Sequence, residues 1–180
     1  MTTTIRKANE KDAALLADLG RRAFIDAFES ANTPENFAAY LAEAFSEQKQ
    51  AAELAQPGST FLIAEIENGQ TGKAEPVGYA RLLAGSSETC ITGVNPVELV
   101  RIYALGAYTG HGIGSALMQA ALDAARGGGY DVIWLGVWQE NPRAVAFYER
   151  WGFQKVGTHV FQLGDDAQTD WIMQRGVGDA

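Results

Sequence analysis

A mixed α/β (α+β) domain containing one parallel strand pair is the fold class the sequence predicts. Apolar residues recur at helical spacing through the first third of the chain. Two strand-like runs then meet at a turn signal, and strand, helix, strand and helix follow before a closing hairpin. Runs joined by tight turns pair antiparallel, whereas two strands joined through a helix in one sheet lie parallel. With 180 residues, 47% hydrophobic and 20% charged, the chain is read as one domain spanning 1–180 with a genuine core.

Each element has a local reason. Residues 3–7 make a short first strand. Over 12–28, Leu15, Leu16, Leu19, Ala23, Phe24, Ala27 and Phe28 fall on one helical stripe. Asn32-Thr33-Pro34-Glu35 interrupts and restarts it: Thr33 can cap, Pro34 suits the first helical position, and Phe37, Tyr40, Leu41 and Phe45 carry it on. Helical turns over 49–54 stop at Pro57-Gly58. The period then changes to strand-like at 60–66, a turn signal occupies 68–72, and 77–83 is the returning strand. A loose stretch, 85–96, precedes the third strong strand, 97–105. The helix after it has an expected core face of Ile113, Ala116, Leu117, Ala120, Ala121 and Ala124, closed by Gly127-Gly128-Gly129. Residues 131–138 read as a buried strand, Asn141-Pro142 starts a helix to Trp151, and two short strands around Gly164-Asp165-Asp166 end the chain.

Composition excludes several function classes. A net charge of −8 is the wrong sign for gripping nucleic-acid phosphates. It suits a cationic partner, although acidity also serves solubility alone. The one cysteine, Cys90, allows no intramolecular disulfide framework and no Cys-rich zinc site, and no metal is expected. No run approaches the roughly 18 apolar residues of a membrane span. Residues 1–13 turn polar where a signal peptide needs its apolar stretch, so a cytoplasmic protein is the expectation.

The strongest chemical feature is Tyr108-Thr109-Gly110-His111-Gly112-Ile113-Gly114-Ser115, set between a strand and a helix. Glycines admit positive φ and let a ligand approach the backbone, and the helix start offers unpaired N–H groups to a phosphate. The plain alternative is a glycine-rich turn that only starts a helix. A Walker A loop is ruled out because no lysine lies nearby. A dinucleotide fingerprint needs glycine at 110, 112 and 115, and 115 is serine; Glu140, ending the next strand, keeps that reading weakly open. Downstream, Asn141 and Tyr148 are seven residues apart, about 10 Å along one helix face. Tyr148 can donate a proton from there, or it can pack as a core residue while Asn141 merely caps.

Read in order, Glu98-Leu-Val-Arg-Ile-Tyr-Ala104, Gly110-His-Gly-Ile-Gly114 and Asn141-x-x-Ala144-x-x-x-Tyr148-x-x-x-Gly152-Phe153 resemble the motifs of the GCN5-related N-acetyltransferase (GNAT) superfamily. The resemblance is specific over 97–153 and weaker across the rest. It implies a mostly antiparallel sheet flanked by helices, with the parallel pair splayed to admit the pantetheine arm of acetyl-CoA. Ile102, Tyr103 and Ala104 would then offer backbone groups to pantetheine and thioester. Gly110, His111, Gly112, Ile113, Gly114 and Ser115 would wrap the pyrophosphate, and Asn141 would touch the cofactor arm. Tyr148 would protonate the departing thiolate, and the bulged strand's N–H groups would stabilise the developing oxyanion. Glu98 aligns with a strand glutamate that is the base in some members; a glutamate paired with Arg101 or with solvent is the alternative. Two positions depart from the pattern: Thr109 replaces the usual glutamine or arginine before the first loop glycine, and Gly106 replaces a common proline.

A finer similarity concerns the acceptor. The segments Gly157-Thr-His159-Val-Phe161-x-Leu163-Gly-Asp165-Asp166-x-Gln168-Thr-Asp170 and Phe28-Glu29-x-x-Asn32-Thr-Pro34-Glu35 look like the tail and helical front of PaiA-type spermidine/spermine acetyltransferases. That implies a polyamine or related small amine as acceptor, met by Asp26, Glu29, Glu98 and Asp170. Asp165 and Asp166 read as turn chemistry. His159 reads as a hairpin residue and not a base, because the sequence places no carboxylate beside it. A protein lysine or N-terminus is a further acceptor class, and a non-catalytic acyl-CoA-binding module is a different class of function, against which Asn141 and Tyr148 argue. The family often forms homodimers, and Phe161 and Trp171, if exposed, would suit a shared sheet edge.

Overall fold

In the computed structural model, which describes residues 2–29, 34–67, 69, 72–163 and 166–178, one seven-stranded sheet organises the chain. Its strands are β1 (Thr3–Lys7), β2 (Ser59–Glu67), β3 (Ala74–Ala84), β4 (Pro96–Ala104), β5 (Val132–Trp138), β6 (Gln154–Leu163) and β7 (Asp166–Gly176). They lie in the order β1-β2-β3-β4-β5-β7-β6, and every neighbouring pair is antiparallel except β4 and β5. The helices are α1 (Ala13–Phe28), α2 (Pro34–Ala44), α3 (Glu47–Ala55), α4 (Ile113–Gly127) and α5 (Pro142–Arg150).

Burial on both faces explains the near-continuous apolar runs of the central strands. On one face Leu117, Met118, Ala121 and Leu122 of α4 pack against Ala80, Leu82, Val97, Ile133 and Leu135. On the other, Leu16, Leu19 and Ala23 of α1 meet Phe61, Ile63 and Tyr79. An aromatic cluster of Phe24, Phe37 and Phe45 extends that second core toward Tyr40, Tyr103 and Phe161.

Three expectations are corrected. The stripe of α4 is rotated by about one residue: Met118, Leu122 and Ala125 are fully buried, whereas Ala116, Ala120 and Ala124 are half-buried. Large side chains win the core face when alanines border it on both sides, because they bury more apolar area. The closing strands are not short but run 10 and 11 residues. Pairing of β7 with β5 on one side and β6 on the other supplies hydrogen bonds that the polar, Gly157-interrupted sequence does not advertise. Phe161 and Trp171 are not exposed: Phe161 stands edge-on to Tyr40 at 5.8 Å, and Trp171 is half-buried against the main core. The shared-edge argument for a homodimer loses its aromatics. Asn32 and the expected cap Thr33, the turn residues Asn68, Gln70 and Thr71, and Gly164-Asp165 lie outside the described residues.

Two features of β4 open the sheet. Its pairing with β5 covers only Pro96, Val97 and Glu98 opposite Val132, Ile133 and Trp134, yet β4 continues to Ala104 and β5 to Trp138. The strands therefore part. Against β3, Arg101 pairs with Arg81 and Leu99 with Leu82, which leaves Val100 as an extra residue. That bulge shifts the alternation, so Glu98, Arg101 and Tyr103 all face α1–α3 while Leu99 and Ile102 face α4.

Candidate active site

Where β4 and β5 part, a cleft of about 650 Å³ runs through the sheet. Ile102, Tyr103 and Ala104 form one edge, and Gly136, Val137 and Trp138 the other. Unpaired backbone on two facing strands can accept an extended ligand as a surrogate strand.

At one end lies the glycine turn. Gly110 and Gly112 adopt φ of 84° and 83°, the left-handed region. Gly112 caps α4 without a side-chain hydrogen bond, leaving the amides of the first turn to a ligand. Gly110, Gly112, Gly114 and Ser115 line the cleft. Two expected residues do not present their side chains there: Ile113 is buried in the core, and His111 Nδ1 lies 3.2 Å from the Thr109 carbonyl. Ile113 can offer only its backbone, and His111 does not line the cleft. Gly106 donates its N–H to Asp26 Oδ2 at 2.7 Å.

Above the gap, Asn141 Oδ1 accepts the Ala144 N–H at 3.1 Å, capping α5 with Pro142 in its first turn. That bond fixes the side chain and leaves its amide hydrogens for the cleft. Tyr148 is half-buried, with its ring against Phe147 at 5.5 Å and Phe153 at 5.8 Å, and it lines the cleft. The tyrosine thus packs against the core and also lines the cleft. Burial raises its hydroxyl above the ordinary phenol range, so the proton stays on. Arg143 and Arg150, not singled out from sequence, also border the cleft from α5.

Opposite the glycine turn the lining changes character. Phe24, Phe28, Tyr40 and Phe161 make an aromatic wall, and Glu98 and Asp170 supply carboxylates. Glu98 is not paired with Arg101, whose guanidinium is held by Glu53. Of the other acids expected at the acceptor, Asp26 is spent on Gly106, and neither it nor Glu29 lines the cleft. His159 requires correction: Nδ1 lies 3.2 Å from Glu88 Oε1 and Nε2 lies 3.6 Å from Asp170 Oδ2. The register that pairs His159 with Asp170 spans a hairpin, and Glu88 comes from the loose stretch before β4, so nothing local announced them. Burial raises the Asp170 carboxyl, against the lowering effect of His159. Among the described residues, no group of His, Cys, Asp and Glu is arranged to hold a metal ion, and no helix is long and apolar enough to cross a membrane.

A mixed sheet with a parted parallel pair, a helix-opening glycine turn and a half-buried tyrosine above the gap is an acyl-transferase architecture. The chain belongs to the acetyltransferase (GNAT) family, whose model matches residues 24–153. An uncharacterized N-acetyltransferase of Lactobacillus delbrueckii subsp. lactis is 32% identical over 173 residues, 96% of each chain. The N-alpha-acetyltransferase RimI of Mycobacterium tuberculosis is 35% identical over 127 residues, 71% of this chain and 72% of that one. Among solved structures, the PaiA N-acetyltransferase of Thermoplasma acidophilum in complex with coenzyme A superposes with a TM-score of 0.72 at 21% identity, covering 98% of this chain and 99% of that one.

Proposed function

We propose that the protein transfers the acetyl group of acetyl-CoA to a primary amine, a polyamine or another small amine, by direct attack in a ternary complex. The observation that carries this reading is the single cleft through the parted β4–β5 pair, amide-rich at one end and acidic and aromatic at the other. The residues fit acetyl-CoA: strand edges without partners suit an amide-bearing arm, and an uncapped helix start suits a pyrophosphate.

Acetyl-CoA supplies an activated thioester carbonyl. Backbone groups of Ile102, Tyr103 and Ala104 hold the arm, and those of Gly110, His111, Gly112, Ile113, Gly114 and Ser115 hold the phosphates. Asn141 orients the arm through its amide hydrogens. With Thr109 in place of a longer polar residue, Arg143 and Arg150 provide the positive charge beside this end. An amine with a pKa near 10 is mostly protonated at neutral pH, and only its free base attacks. Glu98 takes that proton directly or through water. Backbone N–H groups at the Val100 bulge stabilise charge on the carbonyl oxygen, and Tyr148 delivers a proton to the departing sulfur.

Thiol release from acetyl-CoA with spermidine, spermine and a lysine peptide, run beside Tyr148→Phe, tests the reading. Turnover with a polyamine that falls in the variant is expected; tight acetyl-CoA binding without turnover on any amine would reject it. Acetylation of a protein N-terminus is a second reading, supported by the 35% identity to RimI. It predicts turnover on peptides alone.

A further inference from the structure

Asp170 carries an unexplained cost. The residue is 9% exposed, it lines the acceptor end of the cleft, and its buried Oδ1 has no hydrogen-bond partner. A buried carboxylate oxygen left without a donor is destabilising, and native structures rarely keep one without a purpose. Its other oxygen, Oδ2, is 3.6 Å from His159 Nε2, and His159 Nδ1 is 3.2 Å from Glu88 Oε1. These contacts fix the carboxylate from one side only. Gly136 makes the arrangement possible: a Cβ there would fall 2.9 Å from His159 Nε2 and 3.4 Å from Asp170 Oδ2.

We propose that Asp170 is the carboxylate that receives the ammonium group of the acceptor, with His159 and Glu88 as the positioning residues that aim it. The site is complementary to an alkylammonium ion in two respects. Oδ1 is closed to solvent as it stands, so an ammonium group reaches it by a turn of the carboxylate that the lone 3.6 Å contact of Oδ2 allows, and it there makes a charge-assisted hydrogen bond in a place with little water. Tyr40 and Phe161, in edge contact at 5.8 Å, supply ring faces and edges along the same wall, where a cation and its methylene chain both find favourable surface. Glu98 lies on the same side of the sheet, so the cleft presents one carboxylate on β4 and another on β7. An acceptor with two or more amino groups engages both. A neutral acceptor leaves Oδ1 orphaned and is discriminated against.

The inference deepens the acetyl-transfer reading and rests on it only for the ligand's identity, so its test is binding and not turnover. Spermidine and 1,4-diaminobutane are titrated calorimetrically into the CoA-saturated protein, wild type and Asp170→Asn. The variant keeps the shape and removes the charge. It is expected to weaken amine binding by at least about tenfold, the worth of one charge-assisted hydrogen bond, with CoA affinity unchanged. His159→Gln, which loosens Asp170 without removing it, is expected to weaken amine binding less. Equal amine affinity in wild type and Asp170→Asn overturns the proposal, as does failure of both amines to bind the wild type. Loss of CoA affinity along with amine affinity overturns it too, by assigning Asp170 a structural role. Amine binding that depends on Asp170 in a protein that acetylates no amine would reject the acetyl-transfer reading and leave this site standing. Amine affinity indifferent to Asp170 in a protein that acetylates a polyamine would do the reverse.

Discussion

Tyr148 keeps its proton because its half-buried surroundings solvate a phenolate poorly. Burial raises its pKa, and the aromatic neighbours Phe147 and Phe153 offer no charge to offset it. A group that stays protonated through neutral and mildly alkaline pH suits donation to a thiolate leaving group. Tyr148→Phe is expected to lower kcat about 10²-fold or more while leaving the KM for acetyl-CoA nearly unchanged, since the ring stays packed. Glu98 gives a different signature. Glu98→Gln removes the proposed proton acceptor, so activity is expected to follow the free-amine fraction and climb with pH toward the amine's pKa of about 10. A pH–rate profile of kcat/KM checks this: wild type reaches its plateau at a lower pH than the variant. The residues proposed for the cofactor end are readable from sequence because their spacing is local. A glycine turn at a helix start, and Asn141 two helical turns before Tyr148, are written as spacings. Asp170, His159 and Glu88 were not legible as a unit, since hairpin register and a loop without periodicity bring them together.

At the scale of elements, the joint between β4 and α4 shapes the end of the cleft proposed to take the phosphates. Gly112 ends the turn at φ 83° with no atom within 4 Å of where a Cβ would sit, so space is free but the conformation is not. Gly112→Ala therefore costs backbone strain alone, about 1–2 kcal/mol. The expected outcome is a lower thermal midpoint and a several-fold weaker acetyl-CoA affinity, with the amine KM little affected. The same change at Gly127 is expected to be neutral to slightly stabilising, because its φ is not in the left-handed region and alanine is the better helix former. Periodicity identified α4 but placed its buried stripe one residue off, since a run rich in alanine satisfies two neighbouring stripes equally. The β4 bulge was invisible for a related reason. Val97 through Ala104 alternates poorly as a sequence, and only the offset of Arg101 against Arg81 shows that Val100 is the extra residue.

Across the whole molecule, one buried acid adds a polar tie between the helical front and the sheet to their apolar contacts. Glu53 of α3, 6% exposed, bridges two guanidiniums from neighbouring strands: Arg81 Nη1 at 3.1 Å from Oε1, and Arg101 Nη2 at 3.0 Å from the same oxygen. Arg81 also reaches Gln56 at 2.7 Å, and each guanidinium lies over a ring, Arg81 on Phe61 and Arg101 on Phe45. Removing one partner of a buried ion pair leaves the other uncompensated and costs about 3–5 kcal/mol, so Glu53→Gln is expected to shift the urea midpoint strongly downward. A stability loss below about 1 kcal/mol would mean that the retained contacts of the two arginines suffice. Function is expected to fall further than stability. Arg101 and Glu98 share one face of β4 and both line the cleft, and it is Glu53 that keeps the guanidinium turned toward α3. Once released, Arg101 is free to pair with Glu98 and hold its carboxylate away from the amine. In the folded fraction of Glu53→Gln, kcat with a polyamine should therefore drop while acetyl-CoA affinity holds. Adding Arg101→Leu to Glu53→Gln should restore part of kcat, because the competing cation is gone. Failure of the double variant to recover any activity would show that Glu53 acts on the cleft only by keeping the helices in place.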